Sequence, residues 1–156
     1  MKHLFSLTFI LLTVITLHAQ QPTNFSGSYR FDDKKTDLGG VPSSQVPSSL
    51  KAVQDGDKLT ITRTQDGSTY TENFANGAIS DITLPSGAHR KASLTWNAEK
   101  TRFTVNSNSI TPDGQTGSKI VEIWSLSADG KMLTLDRNVT QANGLKYDVR
   151  VCYEKQ

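Results

Sequence analysis

The sequence is poor in cysteine and histidine. Cys152 is the only cysteine among 156 residues, so no intrachain disulfide can form. The fold must therefore depend on its hydrophobic core and its backbone hydrogen bonds. His89 is the only histidine after residue 19. Metal sites need clustered histidine or cysteine, and a nucleophilic thiol needs a nearby base. We predict no metal site and no catalytic cysteine.

An excess of charge of one sign is also absent. The chain has 17 basic and 15 acidic residues, a formal net charge of +2. The chain therefore lacks the excess of positive charge that would attract a nucleic-acid backbone, and no nucleic-acid partner is expected. The sequence has no phosphate-binding loop, nucleophile elbow or dinucleotide fingerprint. We predict no cofactor, no catalytic residues and no enzymatic activity.

Long apolar runs are missing beyond the first 19 residues. There, Lys2 and His3 precede the apolar stretch 4–17, which is followed by His18-Ala19. That order is typical of a secretory signal peptide. Fourteen residues of helix span about 21 Å, which is less than the ~30 Å hydrocarbon core of a bilayer. We expect a signal peptide at 1–19, a single mature domain at 20–156 with no membrane span, and a periplasmic or extracellular location.

The sequence does contain regularly spaced turn signals. Asp-Gly, Asn-Gly and Ser-Gly pairs, which favour tight turns, begin at residues 55, 66, 76, 86, 113, 129 and 143. Between them the apolar residues alternate with polar ones, as in Leu59 and Ile61 among threonines. This pattern predicts antiparallel strands with one buried face. We predict strands at 25–31, 49–54, 58–65, 69–75, 78–84, 88–96, 101–110, 118–126, 131–139 and 145–153.

Consecutive hairpin strands of this number favour an all-β fold, an antiparallel up-and-down barrel of about eight to ten strands. Closure removes the exposed sheet edges that an open meander would leave. A two-sheet sandwich is the alternative, but its connections usually cross between sheets, whereas these turns are short. An outer-membrane barrel is disfavoured because strands such as 58–65 offer too few apolar residues for a hydrocarbon band.

One connection is much longer than the others. Residues 32–48 contain Gly39-Gly40, two prolines and several serines. Long loops in compact domains often serve as lids or binding loops. A solvated spacer or a strap along the outside of the barrel is an equal alternative, and a short helix could form around Lys34 to Leu38.

Several motifs resemble those of small exported bacterial proteins of lipocalin-like type. They are FSGSYRFDDKKTDLGG at 25–40, KLTITRT at 58–64 and EIWSLSADGKMLT at 122–134. Gly27-Ser28-Tyr29 stands where that group has glycine-x-tryptophan. The resemblance implies a lipocalin-like barrel in which Tyr29 packs against a late-strand arginine. Arg137 is the candidate because it is in phase with Leu133 and Leu135, and its role would be structural.

Charged residues also lie in phase with the apolar faces: Arg63, Glu72, Glu122 and Arg137. An unpaired charge inside a barrel would be costly, so these residues are expected to pair or to orient a ligand. One hypothesis is a cavity in which Arg63 anchors a carboxylate or similar group. Its predicted lining is Arg63, Tyr70, Glu72, Phe74, Trp96, Phe103 and Trp124. The alternative places Arg63 and Glu72 at the rim.

We therefore expect an exported, monomeric, non-catalytic protein that binds a small hydrophobic or amphipathic molecule in the barrel. The alternative is an envelope or extracellular protein-interaction module with a solidly packed barrel. The two differ in whether the interior holds a cavity.

Overall fold

The computed structural model describes residues 22–111 and 113–156. The predicted signal peptide lies outside the described residues. The described part of the chain contains ten strands and one short 3₁₀ helix at Ser43–Gln45. The strands are β1 (Gly27–Phe31), β2 (Ser49–Asp55), β3 (Lys58–Gln65), β4 (Ser68–Ala75), β5 (Ile79–Thr83), β6 (His89–Trp96), β7 (Arg102–Ile110), β8 (Thr116–Leu126), β9 (Met132–Thr140) and β10 (Lys146–Lys155).

The strands form one antiparallel sheet that curls into a nearly closed barrel. Their order is β4-β3-β2-β1-β10-β9-β8-β7-β6-β5. The first strand of the chain therefore pairs with the last, and all other paired strands are consecutive in the sequence. Tyr29 of β1 lies opposite Lys155 of β10. A single sheet of this kind confirms the up-and-down barrel and excludes the two-sheet sandwich.

The period-two alternation explains which side chains form the core. On β3, Leu59, Ile61 and Arg63 are buried, whereas the threonines between them are only partly covered. Those threonines bond instead along the outer surface, where Thr62 Oγ1 lies 3.1 Å from Thr71 Oγ1 of β4. The inward residues of the other strands continue the same core around the barrel.

One end of the barrel, here called the closed end, is filled by aromatic side chains. Phe25 lies just before β1 and packs edge-on to Phe103, with ring centroids 4.9 Å apart. Trp96 and Trp124 flank Phe103 at 5.1 Å on either side. The preceding segment crosses this end, because the Thr23 amide donates to Lys100 O at 3.0 Å. These contacts leave the closed end without an opening at its centre.

The opposite end carries residues 32–48, here called the strap. Its first part runs beside β10, where Asp37 and Arg150 exchange backbone hydrogen bonds of 2.8 and 2.7 Å. The predicted helix around Lys34 to Leu38 is wrong. The backbone donors of this segment are satisfied by the free edge of β10, which extends beyond the short β1, so an extended bridge replaces helical bonds.

The later part of the strap turns inward over the barrel. Val46 and Pro47 are buried, and Leu38 and Val41 pack partly buried against the core. Tyr153 Oη on β10 donates to Pro47 O at 3.1 Å. The strap therefore covers this end, which we call the strap end, in place of a solvated spacer.

The barrel has one interrupted seam, between β4 and β5. No ladder joins these strands, which are the two ends of the sheet order. Near the closed end the seam is held by backbone contacts, including Gly77 N to Leu94 O at 2.8 Å. Further along, Ser80 Oγ donates to Asn73 O. Toward the strap end a surface groove takes the place of such contacts.

Within the described ranges, no helix has the length and apolar character needed to span a bilayer.

Candidate ligand-binding site

Five charged side chains meet inside the barrel between the aromatic closed end and the strap. We call Arg63, Glu72, Arg90, Glu122 and Arg137 the ion network. Glu72 and Glu122 are completely buried, Arg63 is 1% exposed and Arg90 is 4% exposed. Arg137 is the most accessible member, with its side chain 20% exposed. Arg63 and Glu72 therefore lie in the interior, and the alternative that placed them at the rim is wrong.

Glu72 on β4 bridges two arginines. Its Oε2 accepts from Arg63 Nε at 2.9 Å, and its Oε1 accepts from Arg90 Nη2. Arg63 lies on the adjacent strand, but Arg90 lies on β6, across the seam. The Glu72–Arg90 pair therefore joins the two sides of the seam from within.

Glu122 on β8 holds the other side of the network. Its Oε2 accepts from Arg63 Nη2 at 2.7 Å and from the Trp124 indole N–H at 3.3 Å. Its Oε1 lies 3.0 Å from Arg137 Nη2. All four oxygens of the two carboxylates are thus occupied by donors of the protein.

The surroundings shift the proton affinities of the network. Burial alone raises the pKa of Glu122, but the charges of Arg63, Arg137 and Arg90 outweigh it and hold that pKa well below the usual range. For Arg63, burial lowers the pKa, yet the neighbouring Glu122 raises it above the ordinary value. Arg90 differs, because burial and the charge of Arg63 lower its pKa to about 10.

The network leaves buried donors without a partner. Three arginines against two glutamates leave one unit of positive charge. Arg90 Nε, Arg137 Nε and Ser107 Oγ are buried and have no hydrogen-bond partner. A fourth such atom, Trp96 Nε1, lies at the closed end. Buried polar groups in native proteins are nearly always bonded, so these atoms call for an explanation.

A groove leads from the surface toward the network at the strap end. It has a volume of about 340 Å³ and is lined by residues of the β3–β4 and β5–β6 turns: Gln65, Asp66, Ser68, Tyr70, Leu84, Pro85 and Ser86. We call it the seam groove. Tyr70 is half-buried, lines the groove and lies directly opposite Arg63 in the β3–β4 register, so the groove adjoins the network at this residue.

The structure divides the predicted cavity lining into two groups. Arg63, Tyr70 and Glu72 lie together at the network and the seam groove. Trp96, Phe103 and Trp124 form the closed-end cluster with one another, and Phe74 is buried opposite Leu59. Trp124 alone connects the groups, because the Arg63 guanidinium lies 5.2 Å from its ring centroid.

The two residues predicted to be structural do not meet each other. Arg137 bonds Glu122, whereas the cation over the Tyr29 ring is the Lys155 ammonium, 5.7 Å from the centroid. Gly27 permits this, because a Cβ there would lie 2.6 Å from Lys155 Cε. The Tyr29 hydroxyl donates to Phe25 O at 2.7 Å, and burial raises its pKa to about 12. Lys155 therefore takes the position predicted for Arg137.

Arg90 is the member of the network that the sequence analysis missed. It stands between His89 and Lys91, so the three together resemble the charged end of a strand. However, Arg90 is in phase with Ala92 and Leu94, which are buried on the inner face of β6. The alternation of inward and outward residues along β6 therefore identifies Arg90 as an inward residue from the sequence.

In the part of the chain that the structure describes, no three histidine, cysteine, aspartate or glutamate side chains are grouped so as to hold a metal ion. Free Cys152 is buried on β10, where its amide donates to Thr36 Oγ1 of the strap at 2.9 Å.

Comparison with known proteins gives the fold. No family model matches the chain, and no curated protein matches it by sequence. Solved structures do match. Zebrafish ileal bile acid-binding protein with cholic acid has a TM-score of 0.59 at 18% identity, covering 85% of this chain and 98% of that one. Schistosoma mansoni fatty acid binding protein with arachidonic acid has a TM-score of 0.56 at 17% identity, covering 85% and 96%. Caenorhabditis elegans lipid binding protein 8 has a TM-score of 0.59 at 13% identity, covering 92% and 100%. The chain therefore has the barrel fold of the lipocalin and fatty-acid-binding type.

Proposed function

We propose that the protein is a non-catalytic binding protein for a small, partly apolar ligand, held in the strap-end half of the barrel. The observation that carries this proposal is the asymmetry of the interior. Aromatic rings fill the closed end, whereas the strap-end half contains buried donors without partners and an adjoining groove. A pocket with apolar walls and a few convergent polar groups is typical of small-molecule sites.

The apolar walls of the proposed site come from side chains that pack against the core but are only partly buried. They surround the strap end and are Phe31, Leu38, Val41, Tyr70, Leu84 and Tyr147. Leu38 and Val41 belong to the strap, which bonds β10 through the Asp37–Arg150 backbone bridge, at Thr36 and at Pro47. Their side chains would form the strap side of the ligand's surroundings. The bile acid and fatty acid ligands of the structural neighbours agree with this class of molecule.

Binding of a neutral solvatochromic dye such as Nile red tests the proposal. Leu84→Glu places a charge in the seam groove, and we expect it to weaken dye binding at least tenfold. Ile79→Glu is the matched control, because Ile79 begins β5, the strand that ends just before Leu84, and its side chain is 77% exposed outside the seam groove. The control should leave the affinity unchanged. Equal affinities for both variants and the parent chain would contradict the assigned position of the ligand.

A second candidate is a protein-interaction module with a packed barrel. The closed-end cluster of Phe25, Trp96, Phe103 and Trp124 favours it, because these rings pack against one another with centroids 4.9 to 5.8 Å apart. Dye titration separates the two functions. A barrel without space for a ligand shows no saturable dye binding, and retention of an intact partner protein by the immobilised chain would then support this second function.

Export is proposed separately, on the basis of the first 19 residues. The charged start, the apolar stretch 4–17 and the small residue Ala19 support cleavage and release to the periplasm or the cell exterior. N-terminal sequencing of the protein from its own host is expected to begin at Gln20. Recovery of the intact first 19 residues in the cytosolic fraction would contradict export.

A further inference from the structure

We propose that the outer wall of the barrel binds an acidic oligosaccharide in a groove that crosses β5 to β8. The site lies outside the barrel and is independent of the ligand proposed for the interior. The groove has a volume of about 340 Å³. We call it the outer groove, and its outward-facing lining includes Lys91, Ser93, Asn106, Asn108, Lys119 and Val121.

The outer groove forms because short side chains stand among longer ones on the sheet surface. Ser93 pairs with Asn106 on the neighbouring strand, and Asn108 follows two residues along β7 on the same face. These three short side chains form the floor. The longer side chains of Ile79 and Val121 lie at the two ends of the floor, since they pair with Ser93 and Asn106.

Lysines form the side of the outer groove that is nearer the strap end. Lys91 on β6 and Lys119 on β8 both pair with Asn108 on the strand between them. Two strand spacings, about 10 Å, therefore separate their positions. Lys146 continues the row, because it and Lys119 both pair with Thr140 of β9. Three exposed ammonium groups thus recur at equal intervals along one line.

The protein does not neutralise this row itself. Among the residues that the structure describes, none of the three lysines forms a salt bridge. Asp81 pairs with Lys91 in register, but its carboxylate lies 3.3 Å from His89 Nδ1 instead. Near the β10 end of the row, Asp148 accepts from Asn138 Nδ2 at 2.7 Å. The row therefore presents positive charge to solvent.

The groups of the outer groove match an acidic saccharide. The side-chain amides of Asn106 and Asn108 donate and accept hydrogen bonds, as sugar hydroxyls do. The ammonium groups of Lys91 and Lys119 form charge-assisted hydrogen bonds with carboxylates. Val121 offers an apolar contact for the C–H face of a sugar ring. An extended saccharide advances by about one strand spacing per ring, so a chain with every second ring acidic fits lysines two strands apart.

The surface of an anionic bilayer fits the same charges less well. Ile110 pairs with Thr116 on the strap-end side of the lysine row, so the β7–β8 turn projects beyond it. A flat surface that approaches the strap end would meet the turns before the lysines. A flat surface against the curved wall would reach only part of the row. A linear chain can follow the whole row, and the structure therefore favours a saccharide.

Calorimetric titration at low ionic strength with hyaluronan hexasaccharide, in which uronic acids alternate with neutral sugars, tests the site. We expect saturable binding that weakens as salt is added. The chitin hexasaccharide, a neutral chain of equal length, should not bind. Absence of hyaluronan binding, or equal binding of the two saccharides, would overturn the inference. Nile red binding reports on the interior separately, so neither result bears on the proposed function.

Variants then separate the lysine row from the floor of the outer groove. Lys119→Ala should weaken hyaluronan binding about fivefold through loss of one exposed ion pair. Lys58→Ala, at an exposed position that begins β3 outside the outer groove, is the matched control and should bind as the parent chain does.

Asn106→Phe fills the floor without changing any charge, and it should also weaken hyaluronan binding about fivefold, because the saccharide loses its hydrogen bonds to the amide. Nile red binding equal to that of the parent chain shows that each variant is folded. Full hyaluronan affinity in Asn106→Phe would overturn the outer groove as the site and leave only unspecific attraction to lysines. Sedimentation with phosphatidylserine vesicles that requires Lys119, without hyaluronan binding, would assign the row to a bilayer and overturn the proposal.

Discussion

Individual buried charges are central to the stability of this barrel. Glu122 is completely buried and contacts Arg63, Arg137 and Trp124. Moving charged side chains from water into the protein interior costs free energy, and this cost is offset only while every ion-pair partner is present. Removing one glutamate therefore does more than delete a contact, since it leaves arginines without compensation.

We expect Glu122→Gln to lower the free energy of unfolding by about 3–5 kcal/mol, the range found when one partner of a buried ion pair is removed. Chemical denaturation measures this difference. Glu154→Gln is the matched control, because Glu154 is exposed on the outer face of β10, and its effect should stay within about 0.5 kcal/mol. Similar effects of both substitutions would show that the network does not stabilise the fold.

The dependence of stability on pH follows from the same residue. The pKa of Glu122 in the folded chain lies below its ordinary value of 4.5, so the unfolded chain binds the proton first. The stabilising contribution is complete above that ordinary value and is lost as the pH falls below it. Denaturation curves between pH 7 and pH 2 should show a steeper acid loss in the parent chain than in Glu122→Gln. Parallel curves would contradict a depressed pKa.

At the scale of single elements, the alternation of residue types was sufficient to locate the strands. The predicted 58–65 coincides with Lys58–Gln65, and most other boundaries differ by one or two residues. The glycines of the turns mark the ends of these strands, because Gly56 and Gly67 adopt φ values of 57° and 74° in the hairpin turns. The strap was not predictable in this way, because its conformation depends on the free edge of β10, a partner distant in sequence.

One of the hydrogen bonds that hold the strap over the barrel is made by a buried tyrosine. Tyr153→Phe removes the donor to Pro47 O and leaves that buried carbonyl unpaired. We expect a loss of about 1–2 kcal/mol in the free energy of unfolding, together with faster amide exchange at Val46 and Ser48. Tyr147→Phe, the same change at a half-buried position, is the control. Unaltered exchange in Tyr153→Phe would show that the strap is fixed by other contacts.

For the whole molecule, closure of the barrel brings together residues whose proximity no local pattern contains. Arg63 and Glu72 are neighbours across one hairpin, and their pairing follows from register alone. Glu122 and Arg90 join them only because the sheet curls and its two edges meet at the seam. The sequence therefore allowed prediction of four of the five inward charges, all except Arg90, but not of how they pair across the barrel.

The proposed ligand position, at the strap end and away from the packed closed end, predicts separate effects on stability and affinity. Phe103→Leu, at the centre of the closed-end cluster, should lower the free energy of unfolding by about 1 kcal/mol while changing the affinity for Nile red less than twofold. Leu84→Glu should instead weaken the binding of Nile red strongly and change the free energy of unfolding little. A large loss of affinity in Phe103→Leu would place the ligand among the closed-end aromatics.

Native mass spectrometry of the protein purified from its own host tests the central claim most directly. The account predicts that the chain carries one small molecule per barrel, released on denaturation and recovered in the organic extract. The bare mass of the chain, with no small molecule in stoichiometric amount and no saturable dye binding, would contradict a ligand-binding barrel.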